Sequence, residues 1–235
     1  MKYFILLLFV LFGSQSWSQS YKFGMQWGIG SYSMSDLKTI NDLATPNIPF
    51  DTKIVSNFPL FFYYRPTFLM VFDDYSVGLV NTFQSTGSRI SAKDYSGEYR
   101  FDMKVNSNCP GIYFERNISS YNNVQVLFYT ILGCSFSKLT INEYYNVLDS
   151  TITNDNIKFK SLNFYCEPGI NLKYPMKPFC IGLNSGYFVS FGKQAFYTDN
   201  NKDHILSNSR SNKPITPDWN GFRLGLSLYY ILNNE

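Results

Sequence analysis

The chain has 235 residues, of which 19% are aromatic and only 16% are charged. That composition is unusual for a soluble enzyme, whose surface carries more charge. The net charge of +3 is too small and too scattered to indicate a nucleic-acid partner. There is one His, no Cys spacing typical of zinc and no glycine-rich phosphate loop. We therefore expect no catalytic residues, no cofactor and no metal.

The N-terminus has the pattern of a secretory signal peptide. Lys2 supplies a positive charge, residues 5–12 are an unbroken apolar run, and small residues follow at the cleavage positions. We predict a signal peptide over residues 1–18 and a mature domain over residues 19–235. A membrane anchor is the alternative, but the apolar run is shorter than the roughly 18–20 residues that span a bilayer. No other stretch has the character of a transmembrane helix, so a membrane-integral mature protein must be a β-barrel.

The mature chain is a series of segments in which apolar and polar residues alternate with period two, the pattern of β-strands. In chain order they lie at roughly residues 21–33, 54–70, 75–84, 111–118, 124–136, 161–173, 179–192 and 221–232. The last segment, GFRLGLSLYYIL, places Phe222 and Leu224 on one face and Arg223 and Gly225 on the other. In the second segment the same parity assigns Phe58 to the apolar face.

The connections between these segments alternate in length. Short turns follow the second, fourth and sixth segments. Long polar loops are predicted after the first, fifth and seventh segments, at residues 34–53, 140–156 and 198–219. Between the third and fourth segments, residues 88–105 form a hairpin that turns near residues 94–97 and projects beyond the membrane. Periplasmic turns at one end and extracellular loops at the other predict an all-β fold, an eight-stranded antiparallel up-and-down transmembrane β-barrel.

The first long loop contains a candidate helix. Ser35 can cap it, and Leu37, Ile40 and Ala44 fall on one side. We interpret this short helix as a decoration of the first extracellular loop, with a partner-binding helix as the alternative.

Glycine distinguishes the polar face of the segments from a water-facing surface. Eleven of the 15 glycines fall on that face: Gly24, Gly28, Gly30, Gly78, Gly111, Gly133, Gly169, Gly182, Gly186, Gly192 and Gly225. Glycine inside a strand is unfavourable unless something packs close to it or the sheet bends. The narrow interior of an eight-stranded barrel creates that need. The apolar face then meets lipid, and a soluble barrel with the apolar face inside stays the alternative.

The polar face also carries charges of both signs, which we expect to form a hydrogen-bonded network in the lumen. The six residues of this predicted network are Lys22, Arg65, Glu115, Glu167, Lys173 and Arg223. Aromatic residues near the strand ends suit two girdles at the membrane interfaces. They are Tyr21, Trp27, Tyr64, Tyr174, Phe179, Trp219, Phe222 and Tyr230.

Strand parity also sorts the four cysteines. It places Cys134 and Cys166 on the lipid face and Cys109 and Cys180 in the lumen. Because a bridge between neighbouring strands is geometrically demanding, we expect free, structural thiols.

The leader ending before Gln19, the eight segments and the closing WNGFRLGLSLYYIL resemble the small outer-membrane β-barrel proteins over nearly all of the mature chain. That group includes the OmpA/OmpX-type barrels and related barrels of Bacteroidota envelopes, among them the PorT-type proteins. The resemblance implies a place in the cell outer membrane, contact with outer-membrane lipid and insertion by the barrel-assembly machinery. In these families the last strand usually closes on an aromatic residue. Here Tyr229 and Tyr230 stand near its end and ILNNE follows.

Some small outer-membrane barrels are enzymes that use a His or Ser at the barrel rim. His204, with Asp203, Ser207 and Ser209, is the candidate for such a site. These are also ordinary loop residues, which is the interpretation that we favour.

We therefore expect a non-enzymatic integral outer-membrane protein with a structural or surface-interaction role. Its long extracellular loops would meet a protein partner. Two alternatives stay open: an accessory component of an envelope secretion or assembly apparatus, as in PorT-type proteins, and a secreted soluble β-barrel that binds an apolar ligand. A small pore is disfavoured because an eight-stranded lumen is narrow.

Overall fold

The computed structural model of the protein describes residues 20–44, 53–93, 95, 97–147, 150–192, 194–198, 201–208 and 211–233. The signal peptide predicted over residues 1–18 lies outside this part of the chain. In chain order the described elements are β1 (Ser20–Gly30), α1 (Ser35–Ala44), β2 (Lys53–Asn57), β3 (Phe61–Val71), β4 (Tyr75–Lys93), β5 (Gly97–Tyr121), β6 (Val124–Val147), β7 (Ser150–Met176), β8 (Phe179–Phe191), β9 (Tyr197–Thr198), β10 (Asn201–Ile205) and β11 (Gly221–Asn233).

Eight of these described strands close into a ring of antiparallel pairs. Around the ring they are β1, β3, β4, β5, β6, β7, β8 and β11, and β11 returns to β1. At this last pairing, which we call the seam, Trp27 of β1 lies opposite Leu226 of β11. Neighbours around the ring are also neighbours along the chain, which is the up-and-down arrangement. The predicted fold, an eight-stranded antiparallel transmembrane barrel with one short helix, is confirmed.

Side chains alternate between the inside and the outside of the ring, and the apolar ones point outward. Along β11, Leu224, Leu226 and Leu228 are 49%, 59% and 41% exposed, whereas Arg223 is 1% exposed and Gly225 is buried. This orientation is the reverse of a soluble barrel, in which the apolar face forms the core. The exterior is therefore an apolar surface of the kind that meets lipid.

One end of the barrel, the turn end, carries three short turns. The best defined is Asn122-Asn123, where both residues have a positive φ (45° and 66°). Two consecutive left-handed residues make a type I′ turn, which matches the twist of the flanking strands and which Asn tolerates. At the same end β1 and β11 meet, with Ser20 opposite Asn233. The other end is called the loop end.

At the loop end, four strands continue beyond the ring as a projecting sheet. It comprises residues 88–93 of β4, 97–104 of β5, 140–147 of β6 and 150–158 of β7, with β2 at one edge and β9 and β10 at the other. The hairpin predicted over residues 88–105 is confirmed within it. The long loop predicted over residues 140–156 is wrong, because residues 140–147 extend β6 and residues 150–156 extend β7. They pair across Asn142 and Asn156 and have a strand partner in β5.

The helix α1 lies over the mouth of the barrel at the loop end. Leu37 is fully buried there, beside Met34 and Trp219, which are also fully buried. The Ser35 hydroxyl bonds Asp218 at 3.3 Å. The predicted helix is confirmed, and it closes the mouth as part of the core. Within the described residues, no helix combines the length and apolarity needed to span a membrane.

The prediction that Phe58 lies on the apolar, outward face is wrong. Phe58 adopts a left-handed conformation (φ 49°) and is only 3% exposed. It lies between β2 and Pro59, where the chain leaves one strand and turns toward β3. A residue with positive φ breaks the alternation of a strand, so its side chain turns inward and packs in the core.

Candidate functional site

The lumen holds all six residues of the predicted network, and five of them form three clusters. The first, nearest the turn end, is built on Lys173 of β7 and Glu115 of β5. The ammonium group lies 2.6 Å and 2.7 Å from the two carboxylate oxygens, and both side chains are fully buried. Tyr113 donates a hydrogen bond to Glu115, and Lys173 lies 4.4 Å from the centre of the Tyr229 ring. A buried ion pair persists when further polar contacts satisfy it in this way.

The second cluster lies at mid-height and is centred on Arg65 of β3. Its guanidinium bonds Glu167 at 2.5 Å and donates to Thr82 at 2.6 Å and to Gln26 at 3.2 Å. Tyr129 donates to the other oxygen of Glu167 at 3.1 Å. The ion pair of Arg65 and Glu167 thus joins five strands across the lumen, because each of its charged groups makes several hydrogen bonds.

The third cluster lies under the mouth and is centred on Arg223 of β11. Its guanidinium donates to Gln84 and to the Ser31 carbonyl, both at 2.8 Å. It also lies 4.7 Å from the Tyr32 ring centre and 4.9 Å from that of Phe188. Within the described residues no carboxylate pairs with Arg223 or with Lys22, which is 9% exposed. Aromatic faces and carbonyls solvate the Arg223 charge instead.

Tyrosine rings packed on glycines fill the remaining lumen, and the sequence analysis missed them. A Cβ added at Gly169 would clash with the ring of Tyr129, and one at Gly186 would clash with its hydroxyl. Three further lumenal tyrosines pack on glycines in the same way: Tyr63 on Gly28 and Gly225, Tyr165 on Gly111 and Gly133, and Tyr229 on Gly24. The available signal was a tyrosine on the polar face of one strand near glycines on the next.

Two sequence assignments in this region are wrong. Gly192 does not face the lumen, because it follows β8 at a bend with φ +98° and is exposed. Trp219 is not part of an exterior girdle. It is fully buried in the mouth, where its indole donates to Ser137 at 2.8 Å. It precedes β11 on a connection that folds back over the barrel, so strand parity did not apply to it.

The projecting sheet has its own polar contacts outside the ring. Tyr99 donates to Glu143 at 3.2 Å. Burial, followed by the nearby Glu143 carboxylate, raises the pKa of Tyr99. On the outward face Arg89 and Asp102 form a bidentate pair at 2.6 Å and 3.1 Å. These contacts hold neighbouring strands of the sheet together beyond the barrel wall.

The described atoms do not bring together the candidate rim site of His204, Asp203, Ser207 and Ser209. His204 is exposed in β10, and its backbone carbonyl accepts a bond from Thr198. Ser207 pairs with Pro214. Ser209 and the side chain of Asp203 lie outside the described part of the chain. Among the residues that are described, no group of three or more His, Cys, Asp or Glu side chains could hold a metal ion.

All four cysteines are free thiols. Cys109 and Cys180 are buried in the lumen, while Cys134 and Cys166 are partly exposed on the outer wall. Strand parity therefore sorted them correctly.

Comparison with known proteins shows that this chain is similar in fold to solved structures. No family model and no curated protein matches the chain. Among solved structures, the chain is similar to a major outer membrane protein from Thermus thermophilus, with a TM-score of 0.50 and 14% identity over 90% of this chain and 99% of that one. It also matches Ail, the attachment invasion locus protein of Yersinia pestis, in complex with the heparin analogue sucrose octasulfate. That match has a TM-score of 0.35 and 12% identity over 92% and 98% of the two chains.

A closed ring, an apolar exterior and a polar, filled interior agree with the Thermus likeness. The expected resemblance to small outer-membrane barrels is confirmed at the level of fold, and the narrower OmpA/OmpX-type and PorT-type assignments stay predictions. The chain has the fold of an integral outer-membrane β-barrel protein.

Proposed function

We propose that this protein is a non-enzymatic anchor in the outer membrane that presents the projecting sheet to a protein partner at the cell surface. The observation that carries the proposal is the continuation of β4, β5, β6 and β7 beyond the ring. Strands that only spanned the bilayer would need about 9–11 residues. β5, β6 and β7 contain 25, 24 and 27 residues.

The filled lumen supports an anchor over a pore. Arg65 and Glu167 cross the barrel at mid-height, tyrosines occupy the space between strands, and α1 with Trp219 covers the mouth. An eight-stranded barrel is just wide enough for its own side chains. The lumen therefore acts as a rigid support.

The apolar exterior supports membrane lipid as the surrounding medium and disfavours a soluble carrier of an apolar ligand. Insertion would use the barrel-assembly machinery. An accessory role in an envelope secretion apparatus, as in PorT-type proteins, would use the same anchor with a partner at the turn end or within the envelope. The location of the partner-binding end therefore separates the two roles.

Orientation is tested by labelling single cysteine variants in intact cells with a membrane-impermeant maleimide. Tyr95→Cys lies at the tip of the projecting sheet, where Tyr95 is fully exposed, and Asn122→Cys lies in a turn at the other end. We expect the first to react and the second to react only after lysis. The parent chain is the control for its four native thiols. Labelling of Asn122→Cys alone would overturn the proposed orientation.

The surface role is tested by removing the tip of the sheet. Ser88 and Met103 lie directly opposite each other, so an Asn-Gly turn can join them in place of residues 89–102. We expect this variant to keep the heat-modifiable gel mobility of a folded barrel and to lose protein crosslinks at the cell surface. Unchanged surface crosslinks would contradict the surface role, whether or not secretion is lost.

A further inference from the structure

A band of positive charge lies on the outside of the projecting sheet, directly above the apolar belt. Hydrogen-bonded rows across β4 to β7 locate it. The last apolar row contains Phe83, Phe136 and Leu162, which face outward. Two residues further along each strand toward the loop end, the next outward row is Ser85, Asn106, Lys138 and Lys160. The row after that is Gly87, Lys104, Thr140 and Lys158.

These two rows contain four exposed lysines and no acidic side chain. Lys138 and Lys160 stand directly opposite each other across β6 and β7. The next row has a carboxylate, Asp102, but it is occupied by Arg89 and Arg100. Within the described residues, no ion pair engages Lys104, Lys138 or Lys158. The charge of these three lysines is therefore not neutralised by the described outer face.

Lys104, Lys138 and Lys158 form a lysine band, and its height matches the phosphate level of a bilayer. Two residues of antiparallel strand advance about 7 Å, less when the strand is tilted. The polar layer beyond each side of the hydrocarbon is roughly 5–8 Å thick. Lysine side chains also extend from the wall toward the headgroups. A barrel whose belt ends at Phe136 thus holds its lysines level with lipid phosphates.

Among the described residues, the lysine band lies on the wall formed by β5, β6 and β7. On the opposite wall, the outward residues near the loop end include Ile29 of β1, Phe62 of β3 and Phe222 of β11, which are 41%, 72% and 70% exposed. A general requirement for solubility would spread charge around the ring. The three lysines without a described ion pair on β5, β6 and β7 indicate a localised anionic ligand on that wall.

We propose that the lysine band binds the phosphate groups of an anionic lipid in the surrounding outer leaflet. Two phosphates on one headgroup would bridge Lys104, Lys138 and Lys158 on three neighbouring strands. The contact fixes the rotation of the barrel about the membrane normal relative to that lipid. It also positions the projecting sheet above the headgroups. This inference rests on the membrane placement proposed above but not on any protein partner.

The test uses the full mature chain folded in a neutral detergent, with diphosphorylated lipid A as the probe and phosphatidylcholine as the neutral control. Binding is measured by native mass spectrometry. The test variant combines Lys104→Gln, Lys138→Gln and Lys158→Gln. The matched control combines Lys53→Gln, Lys93→Gln and Lys213→Gln, which removes the same charge from exposed positions elsewhere at the loop end. Both must keep heat-modifiable mobility.

We expect the test variant to bind lipid A about 100-fold more weakly, since each interfacial lysine contributes about a fivefold factor. The control variant should stay within about twofold, and added salt should weaken only parent binding strongly. Equal binding by the parent and the test variant, or equal loss in the control, would overturn the proposal. So would lysine-dependent binding of heparin or inorganic phosphate without binding of lipid A. Because the assay needs neither cells nor a protein partner, its failure is distinct from failure of the surface-labelling test.

Discussion

At the scale of residues, the lumen and the outer face place the same kind of ion pair in opposite environments. Arg65 and Glu167 have no exposed side-chain surface, whereas Arg89 is 51% exposed and its partner Asp102 is 19% exposed. Removing one partner of a buried pair leaves an uncompensated charge away from water. An exposed pair loses little, because water solvates the remaining charge.

Replacing Glu167 with Gln should therefore destabilise the barrel by about 3–5 kcal/mol. The matched replacement Asp102→Asn should cost about 0–1 kcal/mol. Both are measured as shifts in the urea midpoint of folding into phosphatidylcholine vesicles. A second variant, Arg65→Met with Glu167→Leu, should recover much of the loss. Equal effects of the two single changes would contradict a dry Arg65–Glu167 pair.

The close contact between Tyr129 and Gly186 leads to a second prediction at the scale of residues. Gly186→Ala forces a Cβ against the Tyr129 hydroxyl and should cost about 1–3 kcal/mol through overpacking. Tyr129→Phe removes that hydroxyl together with its bond to Glu167. The double variant should be less destabilised than the sum of the two single variants, by at least about 0.5 kcal/mol. Additive losses in the same urea assay would show that the ring and the glycine are not in contact.

At the scale of elements, α1 is attached to the barrel by buried side chains and by polar contacts, among them the bond from Ser35 to Asp218. Leu37 packs in the mouth, and Asn41 donates to Asn57 and accepts from Ser88. A ten-residue helix is too short to persist in water without such contacts. The helix therefore depends on the barrel, while the ring pairs its strands without it.

Leu37→Asp should undock α1 and leave the ring intact. We expect amide exchange over residues 35–44 to become fast, with unchanged protection in β5 and β6. The control is Lys38→Asp, which changes a neighbouring helix position that is not fully buried. Hydrogen exchange with mass spectrometry measures both. Loss of protection throughout the barrel in Leu37→Asp would show that the helix is required for closure.

The elements were predictable where one periodicity governs a whole strand, and not where local geometry interrupts it. The alternation in β11 gave the sides of Leu224 and Arg223 correctly. The prediction for Phe58 was wrong because its left-handed backbone conformation turns the side chain to the opposite face of the sheet. The only sign of this conformation in the sequence is the following Pro59. Residues 140–156 looked like a polar loop. Residues 140–147 are a strand because β5 offers them an edge, and residues 150–156 pair in turn with β6, which is a tertiary effect on propensity.

The candidate site was predictable in membership but not in arrangement. The six charged residues that the sequence assigned to the polar face are all buried in the described lumen. Their grouping into three clusters depends on strand stagger, which composition does not encode. Arg223 has aromatic rings in place of a carboxylate, and Tyr32 reaches it from a connection outside the strands.

At the scale of the whole molecule, the filled lumen should block ion flow. In planar bilayers the parent chain is expected to give no steady conductance. Shortening the mid-height plug with Arg65→Ser and Glu167→Ser should open discrete current steps if the barrel stays folded, as checked by heat-modifiable mobility. Steady channels from the parent protein would refute the anchor role.

The seam described above has a consequence for the order of assembly. Most ring contacts join strands that follow each other along the chain, but Ser20 meets Asn233 only after more than 200 intervening residues have taken their places. A contact so remote in sequence forms late, because the entropy of bringing distant segments together must first be overcome. Until then, β1 and β11 each expose an unpaired edge on which another chain can add a strand. The newly made chain is therefore most vulnerable to aggregation just before its last strand arrives.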